Sequence, residues 1–228
     1  MKPFGIVTLI GMLVLIAIAG CQSSTTATAT KDNTVQPGVG SQFVFRNMYW
    51  DTLGRLTQDF LDTEVVFQAG ISYQGRNNVN VVSYIWDSTQ REPEYLSYEV
   101  NGDLSYYIAI PGTRAGWPTY PIASMEPSIY IQVDTTYIDP ITGNEVSSYR
   151  QFVFSYLADS TVVEAGQNLD AVQILFRAGN LYSYQNFENY YWIAPAIGYY
   201  VRTLSEIGRP YLQNISRTES DLVSYILK

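Results

Sequence analysis

From Ser41 to the end of the chain the apolar side chains recur at every second position, and that period commits the chain to strands. Ile129, Ile131, Val133, Thr135 and Tyr137 alternate with Tyr130, Gln132, Asp134 and Thr136, the pattern of a half-buried strand. Leu96, Tyr98 and Val100 alternate with Ser97 and Glu99, then Asn101-Gly102 intervenes, and Leu104, Tyr106, Ile108 and Ile110 follow. Asn-Gly accepts the positive φ angles of a type I′ turn, so this stretch predicts a hairpin. Further strands are predicted over residues 42–51, 64–73, 79–86, 147–157, 171–177, 190–193, 199–205 and 222–227. Turn chemistry falls at Thr52-Leu53-Gly54, over 74–78 and 139–144, and at Ala178-Gly179-Asn180. Residues 53–61 offer one short helix, and no repeat of fixed period occurs.

About ten strands in one domain, residues 41–228, predict a mainly β fold: an antiparallel, strongly curved sheet, a sandwich or a half-barrel. Several strands are apolar on both faces. Val79, Val81 and Ile85 oppose Val82, Tyr84 and Trp86, and Phe152, Phe154 and Tyr156 oppose Val153 and Leu157. Such strands need either a second layer or an apolar cavity on one side, and the two-layer core is the simpler expectation.

The start of the chain carries a different message. Met1-Lys2-Pro3 is short and positive, and residues 6–19 are apolar apart from Thr8 and Gly11. That run has the length of a signal-peptide core and is short for a membrane span. It ends in Ile18-Ala19-Gly20-Cys21, which resembles a bacterial lipobox. The resemblance implies removal of residues 1–20, with Cys21 left as a lipid-bearing N-terminus that anchors the protein to a membrane. Gln22 in place of Asp at the next position implies an outer-membrane destination. Residues 21–40 are rich in Ser, Thr and Ala and read as a flexible tether of about 20–25 Å r.m.s. reach.

Composition removes whole classes of chemistry. The chain has no histidine, which excludes the usual Ser-His and Cys-His couples and most zinc sites. Its one cysteine, Cys21, leaves no partner for an intramolecular disulfide. A net charge of −8 with no Lys/Arg cluster speaks against nucleic-acid binding. No cofactor is expected.

Two late segments carry a family signal. Val163-Glu164-Ala165-Gly166-Gln167-Asn168-Leu169-Asp170-Ala171-Val172 resembles a Val-Pro-Ala-Gly-Thr-Phe-Asp-Ala-Val pattern. Ala194-Pro195-Ala196-Ile197-Gly198-Tyr199-Tyr200-Val201-Arg202 resembles an Ala-Pro-Gly-Val-Gly-x-Val-Lys pattern. Both are similar to segments of TapB-like bacterial envelope proteins, with departures at Glu164, Gln167, Leu169 and Ala196. The resemblance implies a curved antiparallel sheet in the envelope and transfers no catalytic residue. Read physically, Gly166 bends the chain before a strand, and Pro195 and Gly198 shape a tight connection.

The remaining candidates are few. Asp59, Asp62 and Glu64 lie close in sequence, as do Asp87, Glu92 and Glu94, and in so acidic a chain both groups read as solvated loops. Converging acids in a cleft would instead allow carboxylate-only hydrolysis. Asp134, Asp139, Asn144 and Glu145 fit no EF-hand spacing and read as a hairpin turn, so no metal site is expected. Trp117, on the loop Ala115-Gly116-Trp117-Pro118-Thr119-Tyr120-Pro121, either contacts a ligand or partner together with Tyr120 or plugs one end of the core. These readings predict no catalytic residue and a non-enzymatic, lipid-anchored binding or assembly module. Its partner is an envelope protein, a lipid or a glycan. A lipid handler with an apolar hollow of the LolA and LolB kind and a carbohydrate-binding surface protein are the alternatives.

Overall fold

The computed structural model describes residues 34–85, 93–107, 116–138, 140–180, 186–209 and 214–228. Twelve strands follow in chain order: β1 (Gln42–Trp50), β2 (Leu56–Tyr73), β3 (Arg76–Tyr84), β4 (Glu94–Tyr98), β5 (Leu104–Tyr106), β6 (Thr119–Tyr120), β7 (Ser128–Ile138), β8 (Glu145–Glu164), β9 (Gln167–Asn180), β10 (Asn186–Ala194), β11 (Tyr199–Arg209) and β12 (Asn214–Ile226). They make one antiparallel sheet in the order β6-β5-β4-β3-β2-β1-β12-β11-β10-β9-β8-β7. First and last strands pair at its middle, and β6 and β7, neighbours in the chain, are its two edges.

Those edges come round to meet. Thr119 N–H donates to Ser128 Oγ at 3.1 Å, and the Tyr120 ring stands edge-on to Phe154 of β8 at 4.7 Å. The sheet is therefore rolled into a nearly closed barrel. Register shifts at Val44/Phe45, Tyr49/Trp50, Tyr156/Ala158 and Trp192/Ile193 supply the extra twist that such curling requires. Phe43, Phe45, Val82, Phe154, Ile174, Ile193 and Tyr199 are buried in a single core inside the roll.

No separate second layer exists among the described residues; each part of the sheet is covered by the part opposite. Val82 faces this core, while Val79 and Val81 on the other face of β3 are buried as well.

Local expectations fail where long-range pairing overrides them. Residues 53–61 form no helix: Asp51 Oδ1 accepts the Leu53 and Arg55 N–H groups at 2.9 Å, closing a turn, and β2 starts at Leu56. The β4–β5 hairpin is present, but Asn101 keeps a negative φ and Gly102 alone is positive, at 90°. Its turn closes by Gly102 N–H to Glu99 O and Glu99 N–H to Asp103 O, both 3.0 Å. Positive φ at both central residues occurs instead at Gln74-Gly75 and Ala165-Gly166. Ala178-Gly179-Asn180 is no turn, because ladders to both β8 and β10 carry β9 through it.

Residues 34–40, the end of the predicted tether, lie along one end of the barrel. Val35 N–H donates to Pro195 O at 2.8 Å, Gly38 N–H to Lys228 O at 3.0 Å, and Gly40 N–H to Val66 O at 2.8 Å. The fully buried Asn80 clamps this strap, donating to Pro37 O at 2.7 Å and accepting Gln36 Nε2 at 2.8 Å. Beneath it lies Gly198, with φ of 71°, where a Cβ would stand 1.6 Å from Val35 O. The connection needs glycine both for its φ and for this close approach.

Candidate functional site

The barrel is not filled. A hollow of about 240 Å³ lies inside it, walled by β1 to β6 on one arm of the sheet and by β10 to β12 on the other. Its polarity is unexpected for a β core: Glu64, Glu94 and a ring of tyrosines project into it.

Strand register explains the convergence. Glu64 of β2 sits opposite Tyr84 of β3, and Glu94 of β4 sits opposite Val82 of β3. Glu64 is in phase with the buried Val66, and Glu94 with the buried Leu96 and Tyr98, so both acids face inward. From β11 come Tyr199 and Tyr200. Consecutive strand residues ordinarily point to opposite faces, but the irregularity opposite Trp192/Ile193 lets both reach one carboxylate. Tyr199 Oη donates to Glu64 Oε2 at 2.7 Å and Tyr200 Oη to Glu64 Oε1 at 2.6 Å. Tyr199 Oη also stands 3.5 Å from Glu94 Oε2, so one hydroxyl reaches both acids.

This arrangement is electrostatically loaded. Glu64 is 4 % exposed, and burial, reinforced by the Glu94 carboxylate, pushes its pKa up to about 8 against the pull of the tyrosine hydroxyls. Burial likewise holds Tyr199 and Tyr200 well above the ordinary tyrosine value. Glu64 is buried and Glu94 half-buried, and the repulsion between them makes ionisation of Glu64 costly. Among the described residues no Lys or Arg lines the hollow. On its wall Asn189 donates from Nδ2 to Tyr191 Oη at 3.2 Å, while its buried Oδ1 has no partner among the described residues.

A second ionic cluster is structural in character. Arg202 pairs with Glu164 at 2.7 Å and with Asp221 at 2.9 Å, and its guanidinium lies 5.9 Å from the Trp192 ring centroid. Burial pushes Glu164 up to about 7, against the attraction of Arg202. Glu164 and Arg202 belong to the two segments that resemble TapB-like proteins, so the fold brings those segments into contact.

The residues singled out in the sequence separate in space. Tyr120 is buried and lines the hollow, packing edge-on against Tyr191 at 5.2 Å. Trp117 is elsewhere: its indole N–H donates to Gln74 O at 3.1 Å, and its ring joins Tyr73, Tyr95 and Tyr107 on the outer face. Cys21 lies outside the described residues, as do Asp87 and Glu92. The reading of both acidic groups as solvated loops is overturned for one member of each. Asp59 does stay outside, paired with Arg46 at 2.6 Å, whereas Glu64 and Glu94 converge in the interior. The available signal was a carboxylate in phase with the apolar face of a predicted strand.

Fold and hollow together define a curled, nearly closed antiparallel β meander with an internal acidic, tyrosine-walled site. No family model and no curated protein matches the sequence, so the TapB-like resemblance rests on its two segments alone. Among solved structures the chain is similar to a candidate lipoprotein from Parabacteroides distasonis, with 12% identity over 86% of this chain and 99% of that one and a TM-score of 0.47. It is also similar to the hypothetical lipoprotein YmcC of Escherichia coli, with 13% identity, 86% and 91% coverage and a TM-score of 0.37. A candidate exported protein with a YmcC-like fold from Bacteroides fragilis shows 14% identity, 86% and 99% coverage and a TM-score of 0.43. Likenesses this distant assign neither family nor function to the chain.

Proposed function

We propose that the chain is a lipid-anchored bacterial envelope protein whose β domain binds a small polar ligand inside the rolled sheet and does no chemistry on it. The observation that carries this reading is the hollow itself, with two carboxylates and several tyrosines turned inward. Evacuating polar groups from water without giving them a filled, apolar core costs stability, and that cost is typical of a binding site. The anchor rests on the Ile18-Ala19-Gly20-Cys21 motif, and Gln22 favours the outer membrane. Replacing Cys21 with Ser tests it: the precursor should lose lipid labelling and partition into the aqueous phase.

A volume of about 240 Å³ lies below that of drug-sized pockets, so the ligand is a fragment and not a whole acyl chain. Carboxylates in the wall also oppose an acyl occupant, which weakens the LolA and LolB reading. The meeting of Glu64 and Glu94 favours a second reading, carboxylate-only hydrolysis. Against it, both Glu64 oxygens are engaged by the Tyr199 and Tyr200 hydroxyls, which leaves neither free to face a substrate.

Native mass spectrometry of the full chain released from detergent distinguishes these. The binding reading expects a small polar adduct that disappears in Thr203→Phe, a variant that fills the hollow. A stoichiometric lipid adduct would support the lipid handler instead. Turnover of glycoside substrates lost in Glu64→Gln and Glu94→Gln would support the hydrolase, and an empty chain with no turnover would overturn a ligand role for the hollow.

A further inference from the structure

We propose that the strap end of the barrel is a membrane-contact surface, where Val39, Phe67, Ile226 and Leu227 rest against the lipid headgroup layer. This surface presupposes the Cys21 anchor proposed above and names the face that the anchor turns towards the bilayer.

Strand register gathers these side chains. Gln42, at the start of β1, pairs with Val65 of β2 on one side and with Ile226 of β12 on the other. Phe43 and Val66 are buried, so the row out of phase with them, Val65, Gln42 and Ile226, faces outward. Phe67 stands beyond Val65 and is 50 % exposed, beside Ile226 at 55 %, Val39 at 58 % and Leu227 at 37 %. Val39 lies between β2 and the end of β12, because Gly38 N–H donates to Lys228 O and Gly40 N–H to Val66 O. A Cβ on Gly40 would stand 3.9 Å from Lys228 Cγ and Cδ, so the lysine stem crosses the middle of the patch. A stem laid on apolar surface with its ammonium free suits the boundary between acyl chains and phosphates.

Exposure alone does not choose the occupant, since Leu53 and Leu56 are exposed at the opposite end. The tether does. Thr34 Oγ1 donates to Gly102 O, Val35 N–H to Pro195 O and Asn80 Nδ2 to Pro37 O, which fixes residues 34–40 to the barrel. About a dozen residues, 22–33, then separate the strap from Cys21, and their composition predicts a coil of about 20 Å r.m.s.. β1 alone carries the chain about 30 Å from the strap to the loop over 51–55. So short a coil concentrates the strap end, and not the opposite end, at the bilayer. Phe43, near the strap, is packed in the core, whereas Asn47 and Tyr49 further along β1 line the hollow. The hollow is therefore set back from the lipid.

Spin labelling of the lipidated full chain in vesicles of phosphatidylethanolamine and phosphatidylglycerol tests this. Nitroxides are placed at Phe67→Cys and Ile226→Cys, at the strap end, and at Leu53→Cys, at the other; acylation leaves Cys21 unreactive. Collisions with oxygen, which concentrates in lipid, and with a water-soluble nickel chelate are measured. The same labels on the Cys21→Ser chain in the aqueous phase are the reference. The oxygen-to-nickel ratio should rise severalfold at Phe67 and Ile226 and stay unchanged at Leu53. Phe67→Asp together with Ile226→Asp, both at exposed positions, should return a label at Val39→Cys towards its aqueous value while keeping the cooperative thermal transition. An unchanged Val39 ratio in that variant overturns the role of the two side chains. Flotation of the intact chain with the vesicles, but with lipid contact at Leu53 or at no label, overturns the surface and leaves the anchor. Spin–spin broadening of the strap-end labels on the Cys21→Ser chain assigns the patch to a second copy and overturns the surface as well. An intact chain that does not float overturns anchor and surface together.

Discussion

Replacing Glu64 with Gln removes a proton-binding group from the middle of the barrel while nearly preserving its shape. Folding raises the Glu64 pKa from the ordinary 4.5 to about 8, so between those values the folded chain holds a proton that the unfolded chain has released. Stability linked to this site is then fully present below about pH 4.5 and is lost as pH rises, disappearing above about 8. The loss is about 1.4 kcal/mol per pH unit and about 5 kcal/mol across the window. Domains are commonly stable by only about 5–15 kcal/mol, so the effect would be plain in urea unfolding followed by tyrosine and tryptophan fluorescence. Glutamine does not titrate, and the variant should lack this slope. Glu164, raised to about 7, contributes in the same direction in both proteins and cancels in their difference. Parallel stability curves for the two proteins from about pH 5 to about pH 9 would refute the assignment of a buried, protonated Glu64.

Three further outcomes follow from single contacts. Tyr199→Phe removes the 2.7 Å donor to Glu64; it should cost about 1–2 kcal/mol in urea unfolding and move the stability loss of Glu64 to still higher pH, since that donor favours the carboxylate. Gly198→Ala forces a Cβ against Val35 O at a φ of 71° and should cost at least about 2 kcal/mol, with early exchange of the Val35 amide as the strap lifts from Pro195. Ala165→Gly relieves a left-handed φ of 52° in the β8–β9 turn and should raise stability by about 1 kcal/mol, read as an increased urea midpoint at unchanged slope.

The strand content was legible because alternation and turn residues are local signals. Leu96 and Tyr98 point inward on β4 as their spacing predicts, and Gly166 and Pro195-Gly198 turn the chain where their backbone freedom allows. Residues 178–180 continue as strand because a local turn preference of Gly and Asn is weaker than the flanking ladders. The type I′ turn was displaced for a related reason: at Asn101-Gly102 the loop spans three residues, and only the Gly takes positive φ.

By itself, then, the sequence determined an all-β chain of antiparallel strands, a single cysteine at a lipobox-like position, and the absence of histidine, thiol-pair and basic-surface chemistry. It did not determine that one sheet would serve as both layers, because closure depends on the sum of strand twists and register shifts. Nor could it show that Glu64 and Glu94 meet. They stand thirty residues apart, a separation that sequence records, but their common hydroxyl belongs to Tyr199, beyond the seam on the other arm of the meander. Which side of a strand a carboxylate occupies is a local matter; what faces it across the barrel is fixed only when the sheet rolls up.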